Sequence, residues 1–139
     1  MLAITFLLCA MIRLPLCGIS KSKFKKTRTK FSLSSLVQIH HIIPREFRNH
    51  PVLYGFDIED GQNFMFMPND LGKVVLLTGR PNHNGGHHAY NRYVGSMLDF
   101  IEEESSEDRI FKVQELTFFL RNELIYILIT TSAALLDAL

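Results

Sequence analysis

Ile39-His40-His41-Ile42-Ile43-Pro44 is the stretch on which the reading of this chain turns. Together with Leu36, Val37 and Gln38 it is rich in β-branched residues and ends on a proline, which cannot donate to a sheet ladder. Residues 36–43 therefore read as a β-strand. Neighbouring strand residues project to opposite sides. His40 and His41 consequently cannot do the same job. One can join other imidazoles around a metal ion while the other faces a neighbouring pocket.

Moving outward, residues 45–54 read as a short helix or loop broken by Pro51, and residues 55–61 carry turn chemistry around Gly55 and Gly61. Asn63-Phe64-Met65-Phe66-Met67 is a second strand, closed by Pro68. Residues 73–77 are a short apolar piece, and residues 80–86 are loop-like. From His87 to about Glu104 the spacing of Tyr90, Val94, Met97, Leu98 and Ile101 predicts a helix. The acidic run Glu102-Glu103-Glu104 marks an exposed boundary. Beyond it residues 109–139 read as mainly helical, with Ile110, Val113, Leu116 and Leu120 on one face.

His83 and His87 are four residues apart, so both rings fall on one side of a helix or of its entry turn. Imidazoles at that separation can share one divalent cation. The six histidines, His40, His41, His50, His83, His87 and His88, all lie within one 49-residue window. Cys9 and Cys17 are the only cysteines, both near the N-terminus, so a metal in the body of the chain must be held by His, Asp, Glu or Asn. Asp57, Glu59 and Asp60 form a carboxylate cluster that reads as turn chemistry. His50, ahead of Pro51, reads as structural, and His88 as a neighbour of the ligand pair.

The chain has 139 residues, 47% of them hydrophobic and 21% charged, which excludes a disordered polyampholyte and a polytopic membrane protein. The net charge is only +1, but its distribution is uneven. Residues 13–48 hold nine Lys or Arg against Glu46 alone; residues 99–123 hold eight acids against three bases. A basic surface for an anionic partner follows. Residues 2–12 are uncharged and apolar. The run is too short to span a membrane and compatible in length with a secretory signal peptide. However, no basic residue precedes it and no cleavage site is clear. A signal peptide would make the protein secreted; an ordinary N-terminal extension would leave it intracellular. Residues 20–30 carry six positive charges and read first as a solvated linker, second as a phosphate-contacting arm. Residues 124–136 are again uncharged but short of a span.

Hydrolysis of a phosphodiester requires a deprotonated water and neutralisation of charge on the phosphate. Imidazole is suited to the first near neutral pH, and a bound cation to the second. The ordered set His-His-x-x-Pro, Asn-x-x-x-x-Pro and His-x-x-x-His resembles the ββα-metal (HNH / endonuclease VII) nuclease superfamily. More narrowly it is similar to the AHH group, named for Ala-His-His, with Ile39 in place of the alanine. His50-Pro51-Val52-Leu53, Gly55-Phe56-Asp57-Ile58, Asn63 to Pro68 and His83-Asn84-Gly85-Gly86-His87-His88-Ala89-Tyr90 resemble the rest of the motif. The likeness covers about half the chain.

The resemblance implies an α+β fold, a ββα-metal core with flanking helices. The divisions expected are a leader (1–19), a basic linker (20–34), the nuclease domain (35–105) and a C-terminal helix (106–139). It implies a metal-dependent endonuclease cutting DNA, or RNA as the lesser alternative. His41 would be general base, with His40, His83 and His87 as metal ligands. Asn63 would orient His41 or steady the loop beside it, and Tyr90 would contact phosphate or support a ligand. Arg45, Arg48, Arg80 and Arg92 would meet backbone phosphate together with the basic arm. Three-His ligation suits zinc, with magnesium, manganese or nickel as alternatives. Nucleic acid is the expected partner, and a toxin-like role would add an inhibitor or immunity protein. The rival reading is a non-catalytic protein whose histidines hold a structural zinc in a decayed nuclease core.

Overall fold

The structure, a computed structural model, describes residues 20–76, 87–103 and 108–130. Its centre is a two-stranded antiparallel ribbon of β1 (Val37–His41) and β2 (Phe64–Pro68), with Val37 opposite Pro68, His40 opposite Met65 and His41 opposite Phe64. β1 ends two residues earlier than the run of β-branched residues suggests. The reason is Asn63: the Ile42 amide donates to its carbonyl at 2.9 Å, and the Ile43 amide to its side-chain Oδ1 at 2.7 Å. Pro68, expected just outside β2, is its last paired residue.

Every residue of β2 is buried, because each face of the ribbon is covered by different helices. This explains why the strand reads as an unbroken apolar run rather than an alternation. On one face Met65 and Met67 join the main core, built from α3 (His88–Glu103) and α4 (Arg109–Thr130). Val94, Leu98 and Ile101 of α3 and Val113, Leu116 and Leu120 of α4 are buried there, with Tyr90, Met97 and Ile110 packed alongside. The helical spacings read from sequence therefore select the inward faces. Val52 and Leu53, in the 3₁₀ turn Pro51–Leu53, close this core from the side. Arg121 of α4, almost fully buried, donates to the Gln62 carbonyl at 2.5 Å and ties the helix to the entry of β2.

On the other face Phe64 and Phe66 pack with Leu33, Val37, Leu76 and Phe24. Phe24 belongs to α1 (Lys21–Lys30). Residues 20–30, read first as a solvated linker, thus form a helix from Lys21 that docks through one aromatic ring. The Phe24 ring lies 5.7 Å from Phe64 and 5.1 Å from Phe66. A single apolar residue in a basic run gives no periodicity, so the sequence alone does not announce this helix.

A short helix, α2 (Asp70–Val75), follows β2, where Asn69 accepts the Gly72 amide at 2.7 Å as its cap. Gly72 is required: a Cβ there would collide with the Leu36 carbonyl oxygen. The α+β class and the ribbon-plus-helix core match expectation. Among the described residues no helix is long and apolar enough to cross a membrane. The leader, residues 1–19, lies outside them.

Candidate active site

The pairing register decides where each imidazole goes. Residues opposite each other on a ribbon share a face, so His40 follows Met65 toward α3 and His41 follows Phe64 toward α1. His40 is 7% exposed. Its ring lies edge-on to that of His87, immediately before α3, with centroids 5.4 Å apart and planes at 83°. The Nε2 atoms of both rings are screened from solvent. Two imidazoles sharing a tetrahedral ion at about 2.1 Å would hold their centroids about 5 Å apart. That centroid spacing accommodates a shared ion. His83, the third expected ligand, and Arg80 lie outside the described residues.

Tyr90 sits in the first turn of α3 with its ring 5.8 Å from His40. Its hydroxyl donates to the Ile42 carbonyl at 2.5 Å. Burial raises its pKa far above the usual phenol range, so it stays a donor. Tyr90 thereby fastens the start of α3 to the end of β1, where His40 stands.

His41 is half-buried against Phe64, ring centroids 4.6 Å apart. Its Nε2 lies 3.3 Å from Glu59 Oε1. A carboxylate only accepts, so this contact assigns the ring hydrogen to Nε2 and leaves the Nδ1 lone pair for another proton. Burial pushes the His41 pKa below 6.5, with Glu59 pulling in the opposite direction. The downward direction favours the neutral ring that a base requires. Glu59 Oε1 also lies 3.1 Å from Arg45 Nε, and Oε2 2.9 Å from Lys21 Nζ. Partial burial raises the Glu59 pKa, but hydrogen bonds from Lys21 and His41 outweigh it, so Glu59 stays ionised below the usual carboxylate range.

Nothing in the turn cluster Asp57, Glu59 and Asp60 singles out Glu59 in the sequence. Its neighbours do serve the turn: Asp57 Oδ1 accepts the Glu59 amide and Asp60 Oδ1 the Gln62 amide. Only the strand register, which puts Phe64 across from His41, brings the segment just ahead of β2 to the imidazole.

Asn63 is fully buried. Besides accepting from the Ile43 amide, its Nδ2 donates to the carbonyls of Ile43 at 3.0 Å and Ile58 at 2.9 Å. It steadies the loop beside His41 rather than touching the ring. By gripping Ile43 and Ile58 it fixes the backbone close to both His41 and Glu59.

The expected phosphate contacts separate. Arg45 is exposed beside Glu59, whereas Arg48 is exposed and donates to the Arg45 carbonyl. Arg92 lines a cavity of about 410 Å³ between the turn Arg45–Asn49 and α3, with Glu46, Phe47, His88 and Asn91. His50 meets acids of α3 far from His40: its Nε2 is 3.1 Å from Asp99 Oδ1 and 3.9 Å from Glu102 Oε2, and the three lie close enough to share a cation. However, His50 Nδ1 accepts the Val52 amide at 3.3 Å. The ring hydrogen is therefore on Nε2, directed at Asp99. An ion on Nε2 would require a protonated Nδ1 facing that amide. As it stands the cluster links the turn to α3.

A comparison with protein-family models matches residues 22–123 to AHH, a nuclease family of the HNH/ENDO VII superfamily with conserved AHH. Searches of curated proteins and of solved structures found no match. Ile39, at the position of the motif's alanine, packs partly buried on the Phe24–Phe64–Phe66 cluster, which accounts for a larger apolar residue there.

Proposed function

This chain belongs to the AHH nuclease family of the HNH/ENDO VII superfamily, and from that premise we propose that it is a metal-dependent endonuclease hydrolysing DNA with His41 as general base. The observation carrying this reading is the division of the ribbon: His40 meets His87 at 5.4 Å on one face, while His41 meets a carboxylate on the other.

His40 and His87, with His83, would hold the ion, and Tyr90 steadies His40 from the strand end. When bound, the ion supplies Lewis-acid stabilisation of charge on the phosphoryl oxygen. An all-imidazole set favours zinc over magnesium or calcium. His41, with its hydrogen kept on Nε2 by Glu59, takes a proton from water at Nδ1. Asn63 holds the two loop segments that bear this pair. Arg45, exposed beside Glu59, would meet a backbone phosphate, with Arg48 and Arg92 as outlying contacts. Backbone contact does not distinguish DNA from RNA, so RNA is the alternative substrate.

The test is nicking of supercoiled plasmid by the full chain, with a structured RNA assayed alongside. Chelator should abolish nicking, and zinc, manganese, magnesium or nickel added singly should identify the ion that restores it. His41→Ala should lower the rate by about 10²–10⁴-fold. Nicking that survives both chelator and the His41 substitution refutes the mechanism. Cleavage of RNA alone moves the substrate.

A further inference from the structure

α1 holds six cations in ten residues and no acid. Lys21 and Lys25, and Lys26 and Lys30, stand four residues apart; Lys23 and Lys26, and Lys25 and Arg28, stand three apart. Like charges at these spacings repel across a helix surface. Phe24 is the helix's one buried residue, so little apolar burial offsets that repulsion. A polyanion lying along the helix would relieve it.

The position of the helix says where such a polyanion would run. Lys21 Nζ lies 2.9 Å from Glu59 and 5.3 Å over the Phe64 ring, the same ring on which His41 packs. The first turn of α1 therefore borders the His41 pocket, and the rest extends roughly 9 Å beyond it. Lys21 is engaged by Glu59, Arg28 donates to the Val37 carbonyl at 3.4 Å, and Lys30 sits over Phe31. Lys23, Lys25 and Lys26 are exposed, and among the described residues no acid pairs with them.

We propose that α1 is the track for the nucleic-acid backbone flanking the scissile bond, its phosphates met by Lys23, Lys25 and Lys26. This rests on the reading of the chain as a nuclease and adds where the substrate lies. Lys23 and Lys25 leave the helix on opposite flanks of Phe24 and Lys26 on the outer side between them; contacts from these ammonium groups to phosphate carry no sequence information, so the track is sequence-blind.

The test measures binding without cleavage. Full-length chain carrying His41→Ala is titrated against a fluorescein-labelled DNA duplex of arbitrary sequence over a salt series. The same protein with Lys23→Gln, Lys25→Gln and Lys26→Gln is compared; Gln keeps helix propensity close to that of Lys. A control removes equal charge elsewhere, with Arg109→Gln, Lys112→Gln and Lys73→Gln, and circular dichroism checks that each variant folds. The α1 variant should lose about two to three units of log K against log salt slope, near 0.9 per phosphate contact, and the control less than one unit. Equal slopes in all three proteins, or an equal loss in the control, overturn the proposal. Unchanged duplex binding with lost sedimentation on phosphatidylserine vesicles overturns it in favour of a membrane surface. If wild type fails to nick yet the slope falls as stated, the nuclease reading fails and the binding track stands. If nicking depends on His41 and the slope does not move, the reverse holds.

Discussion

The two faces of one ribbon put adjacent histidines into opposite environments. On the α3 side His40 is enclosed by rings, with His87 and Tyr90 as neighbours and a methionine-lined core beneath. On the α1 side His41 borders charge: Glu59, and through it Arg45 and Lys21. An enclosed imidazole beside a second one suits a shared cation. A half-buried imidazole on a carboxylate suits proton transfer, since burial keeps it neutral while the carboxylate fixes its tautomer. The 180° alternation of a strand puts the two rings in these different surroundings without any special loop.

The comparison breaks most visibly by removing one histidine at a time. His41→Ala should cost about 10²–10⁴ in nicking rate while zinc affinity, read by competition with a chromophoric chelator, stays. His40→Ala should lose both. Equal metal affinity in the two variants would erase the distinction between the faces.

Asn63→Ala attacks what the faces share. It leaves the Ile43 amide and the carbonyls of Ile43 and Ile58 without their partner, in a fully buried site. A loss of about 3 kcal/mol in urea unfolding is expected. A loss under about 1 kcal/mol would mean that water replaces the side chain. His50→Ala is a smaller perturbation and sharpens where the metal is. It removes the cap on Val52 and the link to Asp99, for about 1 kcal/mol, and should leave zinc affinity unchanged. Zinc released by this substitution would move the metal centre to Asp99 and Glu102.

The smallest effect is in pH. The proposed base role requires neutral His41, and burial lowers its pKa from 6.5. The acid limb of kcat/KM should therefore fall below pH 6.5. Glu59 favours the charged ring, so Glu59→Gln should move that limb to still lower pH and lower the plateau. A limb that moves upward would show that Glu59 does not act on His41.

Much of this was legible in the chain. The β-branched run before Pro44, the spacings in α3 and α4, and the opposite orientation of His40 and His41 are consequences of local geometry, and local geometry is set by neighbouring residues. The ordered histidine motifs were enough to place the chain beside the AHH nucleases. Glu59 was not legible, because a carboxylate in a turn looks the same whether it faces solvent or an imidazole. Nor was α1, whose basic composition reads as a linker until Phe24 has somewhere to dock.

The sequence by itself determined the elements and the alternation that separates the two histidines, since both follow from backbone periods of two and 3.6 residues. Only the tertiary structure decided which face meets His87 and which meets Glu59. That choice depends on the pairing of His40 with Met65 and His41 with Phe64, and on which helices cover each side. Both are contacts between segments far apart in the chain, and no local propensity encodes them.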